Sequence, residues 1–172
     1  MFKRSVVSSL LMLSFLFGGE KDQTLVPYVD LDRFMGEWYV IANIPTRWEI
    51  GAHNAIENYS WNEDGYVDVL FSYHLDAPDG EYKEMTQKGF IYDTKSNAAW
   101  RIQPVWPLKL GYFIIDLADD YSYTVIGVPS RKYLWIMARE PSLPDDVYGQ
   151  ILKRVKEQGY DLNLIQEVPQ VW

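Results

Sequence analysis

The sequence predicts an all-β domain: an eight-stranded antiparallel up-and-down β-barrel with one C-terminal α-helix packed on it. Three observations predict this. Short β-rich runs separated by turn residues fill Gly36 to Arg139, the connections are too short for crossovers, and after Arg139 the apolar spacing becomes helical. Eight strands joined in this way close on themselves, which removes the unpaired edges of an open sheet. At that strand number the interior is either filled by side chains or holds one small ligand.

The elements follow in order. Trp38 to Ile44 and His53 to Trp61 read as strands, and Asn62-Glu63-Asp64-Gly65 is a hairpin turn into Val67 to Leu75. Asp76-Ala77-Pro78-Asp79-Gly80 opens Glu81 to Tyr92, and Asp93-Thr94-Lys95-Ser96-Asn97 opens Ala98 to Gln103. A Pro-bounded loop, Pro104 to Leu110, then precedes Gly111 to Leu117. Asp119-Asp120 leads into Tyr121 to Val128, and Pro129-Ser130-Arg131 into Tyr133 to Arg139. Ser142, just ahead of Pro144, opens a segment with apolar Val147, Ile151, Leu152 and Val155 and a stop at Gly159, which is an amphipathic helix covering the barrel. Leu162 to Val168 is expected as a short last strand.

The 172 residues suffice for one domain with a sizeable core, and a formal charge of −8 without a basic stripe argues against nucleic acid as a partner. With no cysteine, thiol nucleophiles, thiolate metal sites and disulfides are excluded, so an exported domain must rest on its core and hydrogen bonds. The 16% aromatic content suits that demand. Lys3 and Arg4 precede an apolar run from Val6 to Phe17 that ends at Gly18-Gly19. Residues 1–18 read as a secretory signal, with a membrane-anchoring helix as the alternative, residues 19–30 as an N-terminal extension and 31–172 as the domain.

Gly36-Glu37-Trp38-Tyr39 at the first strand, Asp120-Tyr121 before the seventh and Arg139 ending the eighth stand in the order and spacing of the three lipocalin motifs. Phe34 to Tyr39, Tyr133 to Arg139 and Gly159-Tyr160-Asp161 resemble the Blc-type bacterial lipocalins, an outer-membrane lipoprotein family related to apolipoprotein D. The resemblance runs from about Val29 to Val168. It implies a closed barrel floor plugged by Trp38, entered through a bend at Gly36, with Arg139 lying across the indole. It also implies a location in the cell envelope, at the outer membrane or in the periplasm. Gly19 follows Leu16-Phe17-Gly18 where such lipoproteins carry their lipid-modified cysteine, and glycine cannot form the thioether.

Strand alternation assigns residues to faces but does not say which face is inside. With Trp38 inward and the family pattern elsewhere, the lining candidates are Ala55, Glu57, Tyr59, Val69, Phe71, Tyr73, Trp100, Ile102, Tyr112, Ile114 and Trp135. Each aromatic singly is as well explained by core packing, and only their joint placement around one cavity supports binding. A carboxylate at Glu57 facing an apolar cavity needs a partner or a proton, whereas a one-residue shift in parity puts it in solvent. Trp106, with Leu108 and Leu110, reads as an apolar lip at the open end, for lipid contact or gating, or for burial against a neighbouring loop or a second subunit in a homodimer.

His53 and His74 have no clustered partners, and neither a phosphate-cradling glycine loop nor a nucleophile elbow occurs. The expectation is a non-enzymatic carrier, without cofactor or metal, that binds or stores a fatty acid or lysophospholipid and has a membrane surface as a further partner. The alternatives are a pigment or tetrapyrrole carrier, a lipid-modifying enzyme using Glu57 with a tyrosine, and a structural barrel packed solid.

Overall fold

The computed structural model describes residues 22–172, so the expected signal at 1–18 and the Gly19 position lie outside the described residues. A one-turn helix α1 (Leu31–Phe34) is followed by β1 (Gly36–Ile44), β2 (Ala52–Trp61), β3 (Val67–Leu75), β4 (Glu81–Ile91), β5 (Ala99–Val105), β6 (Leu108–Leu117), β7 (Tyr123–Gly127) and β8 (Leu134–Ala138). Helix α2 (Asp145–Glu157), a 3-10 turn (Leu162–Leu164) and β9 (Gln166–Glu167) complete the chain. All pairings are antiparallel in the order β2-β3-β4-β5-β6-β7-β8-β1-β9, and a further β1–β2 pairing closes the barrel. The eight expected strands and the single helix after them are therefore present.

Up-and-down connectivity puts α1 and the β2–β3, β4–β5 and β6–β7 turns at one end and the other four connections at the opposite end. The α1 end is sealed. Asp30 caps α1 by accepting from the N–H groups of Asp32 and Arg33. Phe34 packs at 5.2 Å, centroid to centroid, from the Trp38 ring, whose Nε1 donates to the Phe34 carbonyl at 2.8 Å. The Arg139 guanidinium lies 3.7 Å over the indole and donates to the carbonyls of Arg33, Phe34, Met35 and Glu37 at 2.6 to 3.0 Å. Gly36 makes the bend at φ +94°, and a Cβ there would sit 3.4 Å from the Arg139 Nη1 atom. Tyr121 and Asp120 belong to the same floor. The Tyr121 hydroxyl accepts from the Asp30 N–H at 2.7 Å with Arg33 over its ring, and Asp120 accepts from the Ser122 N–H. Tyr121 itself is a turn residue at φ +63°, so the seventh strand begins two residues later than expected.

Three further expectations are corrected. The loop Pro104 to Leu110 is instead a tight hairpin, because β5 continues to Val105 and β6 starts at Leu108, leaving only Trp106-Pro107 between them. The helix starts at Asp145 with Pro144 at its cap, and Ser142 stands outside it. Leu162 to Val168 is not one strand, because the Asp161 carboxylate accepts from the Asn163 N–H and coils residues 162–164. Part of the expected extension packs on the barrel. Val26 donates to the Ile114 carbonyl and Val29 to that of Ser96, and Val29 is fully buried.

Two apolar clusters result. One fills the barrel, and the other joins α2, through Ile151 and Val155, to the outer faces of Ile115, Val125, Leu134 and Ile136. Arg154 fixes α2 further by donating to Asp116 at 2.6 Å and to the Tyr123 hydroxyl at 2.9 Å. Toward the open end β1 leaves β2, since their ladder covers only Gly36–Tyr39, and the C-terminal tail fills the seam. β9 pairs with Ala42 and Asn43, and Gln170 donates its amide to the carbonyls of Val40 and Ala55 on the two parted strands.

Replacing Arg139 by Met removes both the stacking and the donors of four floor carbonyls. The expected loss is about 2 to 4 kcal/mol of unfolding free energy, measured by urea denaturation, with Lys recovering less than half because one ammonium cannot span four acceptors.

Candidate ligand site in the barrel interior

The lining of the barrel follows from strand parity. Val67, Val69, Phe71 and Tyr73 alternate inward on β3, and Trp100 and Ile102 do so on β5. On β2 the alternation is broken by a bulge between His53 and Ile56, where Asn54 takes φ +49°. Beyond it Ala55, Glu57 and Tyr59 all face inward, and Glu57 is only 4% exposed. The solvent-facing reading of Glu57 is thereby excluded.

The lining candidates Ala55, Tyr59, Val69, Phe71, Tyr73, Trp100, Ile102, Tyr112, Ile114 and Trp135 lie in one cluster with the floor residue Trp38. Their exposure is graded along the barrel. Trp38, Trp100 and Ile114 near the floor have no exposed surface, Tyr112, opposite Trp100 in the β5–β6 ladder, retains 6%, and Tyr73 and Trp135 toward the mouth retain 7% and 9%. The residual exposure of the lining lies toward the open end.

Trp106 is not brought into this group. It sits at the tip of the β5–β6 hairpin and is 82% exposed, so it is a rim residue and not a lining one, and no neighbouring loop of the chain buries it.

A polar cluster lies directly on the floor, where Glu57 stands opposite Trp38 and Tyr59 opposite Gly36 in the β1–β2 ladder. The Tyr59 hydroxyl hydrogen-bonds Glu57 Oε2 and the Tyr112 hydroxyl, and Tyr112 donates to the same Oε2 at 3.2 Å. Nearer the mouth Glu49 accepts from Trp135 Nε1 at 2.6 Å and from the Thr46 N–H at 2.6 Å, while Tyr73 donates to the Trp48 carbonyl at 2.7 Å. Glu49 was invisible in the sequence as an interior residue, because it lies in the β1–β2 connection where alternation gives no information. Burial pushes the Glu57 carboxyl up to about 7, with the Tyr59 and Tyr112 hydrogen bonds opposing it and the nearby Glu49 charge adding to it. Glu49 is also raised by burial. Burial lifts the Tyr59 and Tyr112 hydroxyls well above the ordinary phenol range, which keeps them as donors at neutral pH.

Such an interior is apolar and aromatic, with hydroxyl groups at one depth. Among the described residues no group of three or more His, Asp or Glu side chains is placed to hold a metal ion.

An eight-stranded barrel with a sealed, arginine-braced floor and an aromatic interior defines a class of proteins that bind small hydrophobic molecules. The sequence profile of the lipocalin-like domain matches residues 29–170, and the chain belongs to that family. It is 31% identical over 151 residues to the outer membrane lipoprotein Blc of Citrobacter freundii, covering 87% of this chain and 84% of that protein. It is 29% identical over 162 residues to temperature-induced lipocalin-1 of Arabidopsis thaliana, covering 88% and 84%. Among solved structures, insecticyanin from the tobacco hornworm Manduca sexta superposes with a TM-score of 0.66 at 17% identity, covering 88% of this chain and 86% of that one, which is a likeness of fold.

The raised Glu57 sets a pH dependence of stability. Its folded value lies above the ordinary 4.5, so the stabilising neutral form is fully present below that pH, and its contribution is lost as pH rises through about 7. The expected loss is about 3 kcal/mol. Urea unfolding of Glu57→Gln against the parent at pH 5 and pH 8 checks it, and the variant is expected to gain relative to the parent at the higher pH.

Proposed function

We propose that the protein is a non-enzymatic carrier that holds a long-chain amphiphile, a fatty acid or lysophospholipid, within the cell envelope. The observation that carries the reading is the aromatic interior, fully buried at Trp38 and Trp100 and retaining slight exposure at Tyr112, Tyr73 and Trp135. An acyl chain enters from the open end as the latter rings turn aside, and its head group stays at the mouth. There Lys83 lies opposite Tyr73 in the β3–β4 ladder, and Arg47 stands on the β1–β2 connection, so an anionic head group meets cations. Affinity comes mainly from burial of the chain, at ~25 cal/mol per Å² of apolar area removed from water. The resemblance to outer membrane lipoproteins over most of the chain supports the envelope location.

A chain lying against Glu57 favours the neutral carboxyl, so binding takes up a proton. Affinity for a fluorescent fatty acid is expected to fall as pH rises through about 7, by at most about tenfold per unit for one proton, and Glu57→Gln is expected to abolish the dependence. Ile102→Trp fills the barrel interior and is expected to weaken uptake by about tenfold or more at a cost of roughly 1 to 3 kcal/mol in stability.

Native mass spectrometry and lipid extraction of protein purified from its own envelope test the reading directly. Stoichiometric acyl species support it, and a coloured species replaces it with a pigment carrier. Empty protein that also refuses a fluorescent fatty acid would sink both. Turnover of a recovered lipid, lost in Glu57→Gln, would make the protein an enzyme.

A further inference from the structure

The β5–β6 hairpin projects beyond the ladders of its neighbours, with the Lys109 ammonium 3.8 Å over the Phe90 ring of β4. The β4–β5 ladder ends at Lys88 opposite Gln103, and the β6–β7 ladder begins at Phe113 opposite Gly127. The residues from Pro104 to Tyr112 therefore pair only within the hairpin, and beside it the barrel wall carries a groove of about 280 Å³ lined by Thr86, Gln87, Lys88, Gln103, Pro104 and Trp106 among others. Every residue from Pro104 to Leu110 is exposed, including Val105, Trp106, Leu108 and Leu110. At the same end, Trp48 and Ile50 on the β1–β2 connection are 56% and 61% exposed. Two tryptophans and four aliphatic side chains thus stand in water at the mouth, where no other part of the described chain covers them.

Charge is distributed unevenly around this rim. The hairpin carries Lys109, the β7–β8 connection Lys132 beside Arg131, which donates to the Gln158 carbonyl, and the β1–β2 connection Arg47. The one acid on these three connections, Glu49, is buried on Trp135 and Thr46. Acids outnumber bases elsewhere: Asp76, Asp79, Glu81 and Glu84 against Lys83 at the β3–β4 hairpin across the rim, and Asp30, Asp32, Glu63, Asp64, Asp93, Asp119 and Asp120 against Arg33, Lys95 and Arg139 at the closed end. A chain of net charge −8 thus presents a cationic, apolar arc at its mouth and an acidic floor behind it. Near an anionic surface this polarity turns the mouth toward the surface.

We infer that this arc docks on an anionic phospholipid bilayer, with Trp48, Trp106 and the hairpin leucines in the head-group region and Arg47, Lys109 and Lys132 against the phosphates. Tryptophan favours that interface because its ring is apolar and its N–H is polar. Each nearby Lys or Arg adds electrostatic attraction that salt weakens. A second copy of the chain is the less complementary occupant, since rim-to-rim contact brings like charges together. No helix among the described residues is long and apolar enough to cross the membrane, and docking of this kind needs none. The mouth and the wall groove would then open onto the lipids.

The chain contains no cysteine, so Leu108→Cys and Glu63→Cys each carry a single environment-sensitive fluorophore, one on the hairpin and one at the closed end of the full chain. With vesicles of phosphatidylglycerol and phosphatidylethanolamine the label at 108 is expected to shift to the blue and become shielded from aqueous quencher, while the label at 63 does not change. Phosphatidylcholine vesicles or high salt are expected to abolish the shift. On the Leu108→Cys background, the pair Trp48→Ala and Trp106→Ala, and separately the pair Lys109→Glu and Lys132→Glu, are expected to lower vesicle partitioning by about tenfold or more. Sedimentation with vesicles while the label at 108 stays in water means that residues 1–21 hold the chain there, and overturns the inference. A shift at 108 that grows with protein concentration without vesicles assigns the arc to a second copy and overturns it as well.

Discussion

The Trp38 indole, packed by Phe34 and the Arg139 guanidinium, is the contact on which the barrel is organised. An open-ended barrel of eight strands would admit water at both ends, and the side chains of its lower half could not pack to a solid core. Arg139 closes one end because its fixed fork reaches four carbonyls of the turn carrying α1 into β1, so strand β8, the one-turn helix and the first strand are locked at one place. The layer above, Tyr59, Trp100 and Ile114, is buried as a consequence.

Once the floor is sealed, polar groups in the barrel need partners from within it. Glu57 has two tyrosine hydroxyls on one oxygen and no cation, so burial raises its pKa and the hydroxyls offset only part of the rise. Glu49 solves the same problem with an indole N–H and a backbone N–H. The interior is thus polar at chosen depths and aromatic between them, which lets one barrel combine chain burial with sensitivity to protons.

The open half is assembled from pieces that strand pairing alone does not hold. β1 and β2 part above Tyr39, and the C-terminal tail enters the seam, tied by Gln170 and by Asn54, whose amide group exchanges hydrogen bonds with Val171. On the far side the β5–β6 hairpin leaves its neighbours and carries apolar side chains into solvent. The two ends of the barrel differ in chemistry because they differ in closure. At the floor Arg139 takes up four backbone carbonyls, whereas at the mouth apolar side chains stand exposed.

The strand order, the single helix and the floor residues were legible in the sequence. Turn residues such as Asn62 to Gly65 punctuate the strands, and Gly36, Trp38, Tyr121 and Arg139 are residue types that a bend, a plug and a stacked donor require. Which face of β2 is inside was not legible, because the bulge at Asn54 shifts its parity and only pairing to β1 and β3 fixes it. Glu49 entered the interior through a loop that has no periodicity to read, and prolines at 104 and 107 suggested a loop where the chain forms a hairpin. Local chemistry therefore determined the elements and their order. The inward turn of Glu57, the outward ribbon at Trp106 and the plugging of the seam by the tail were decided by tertiary structure, since each depends on partners more than ten residues away in sequence or on the lack of them.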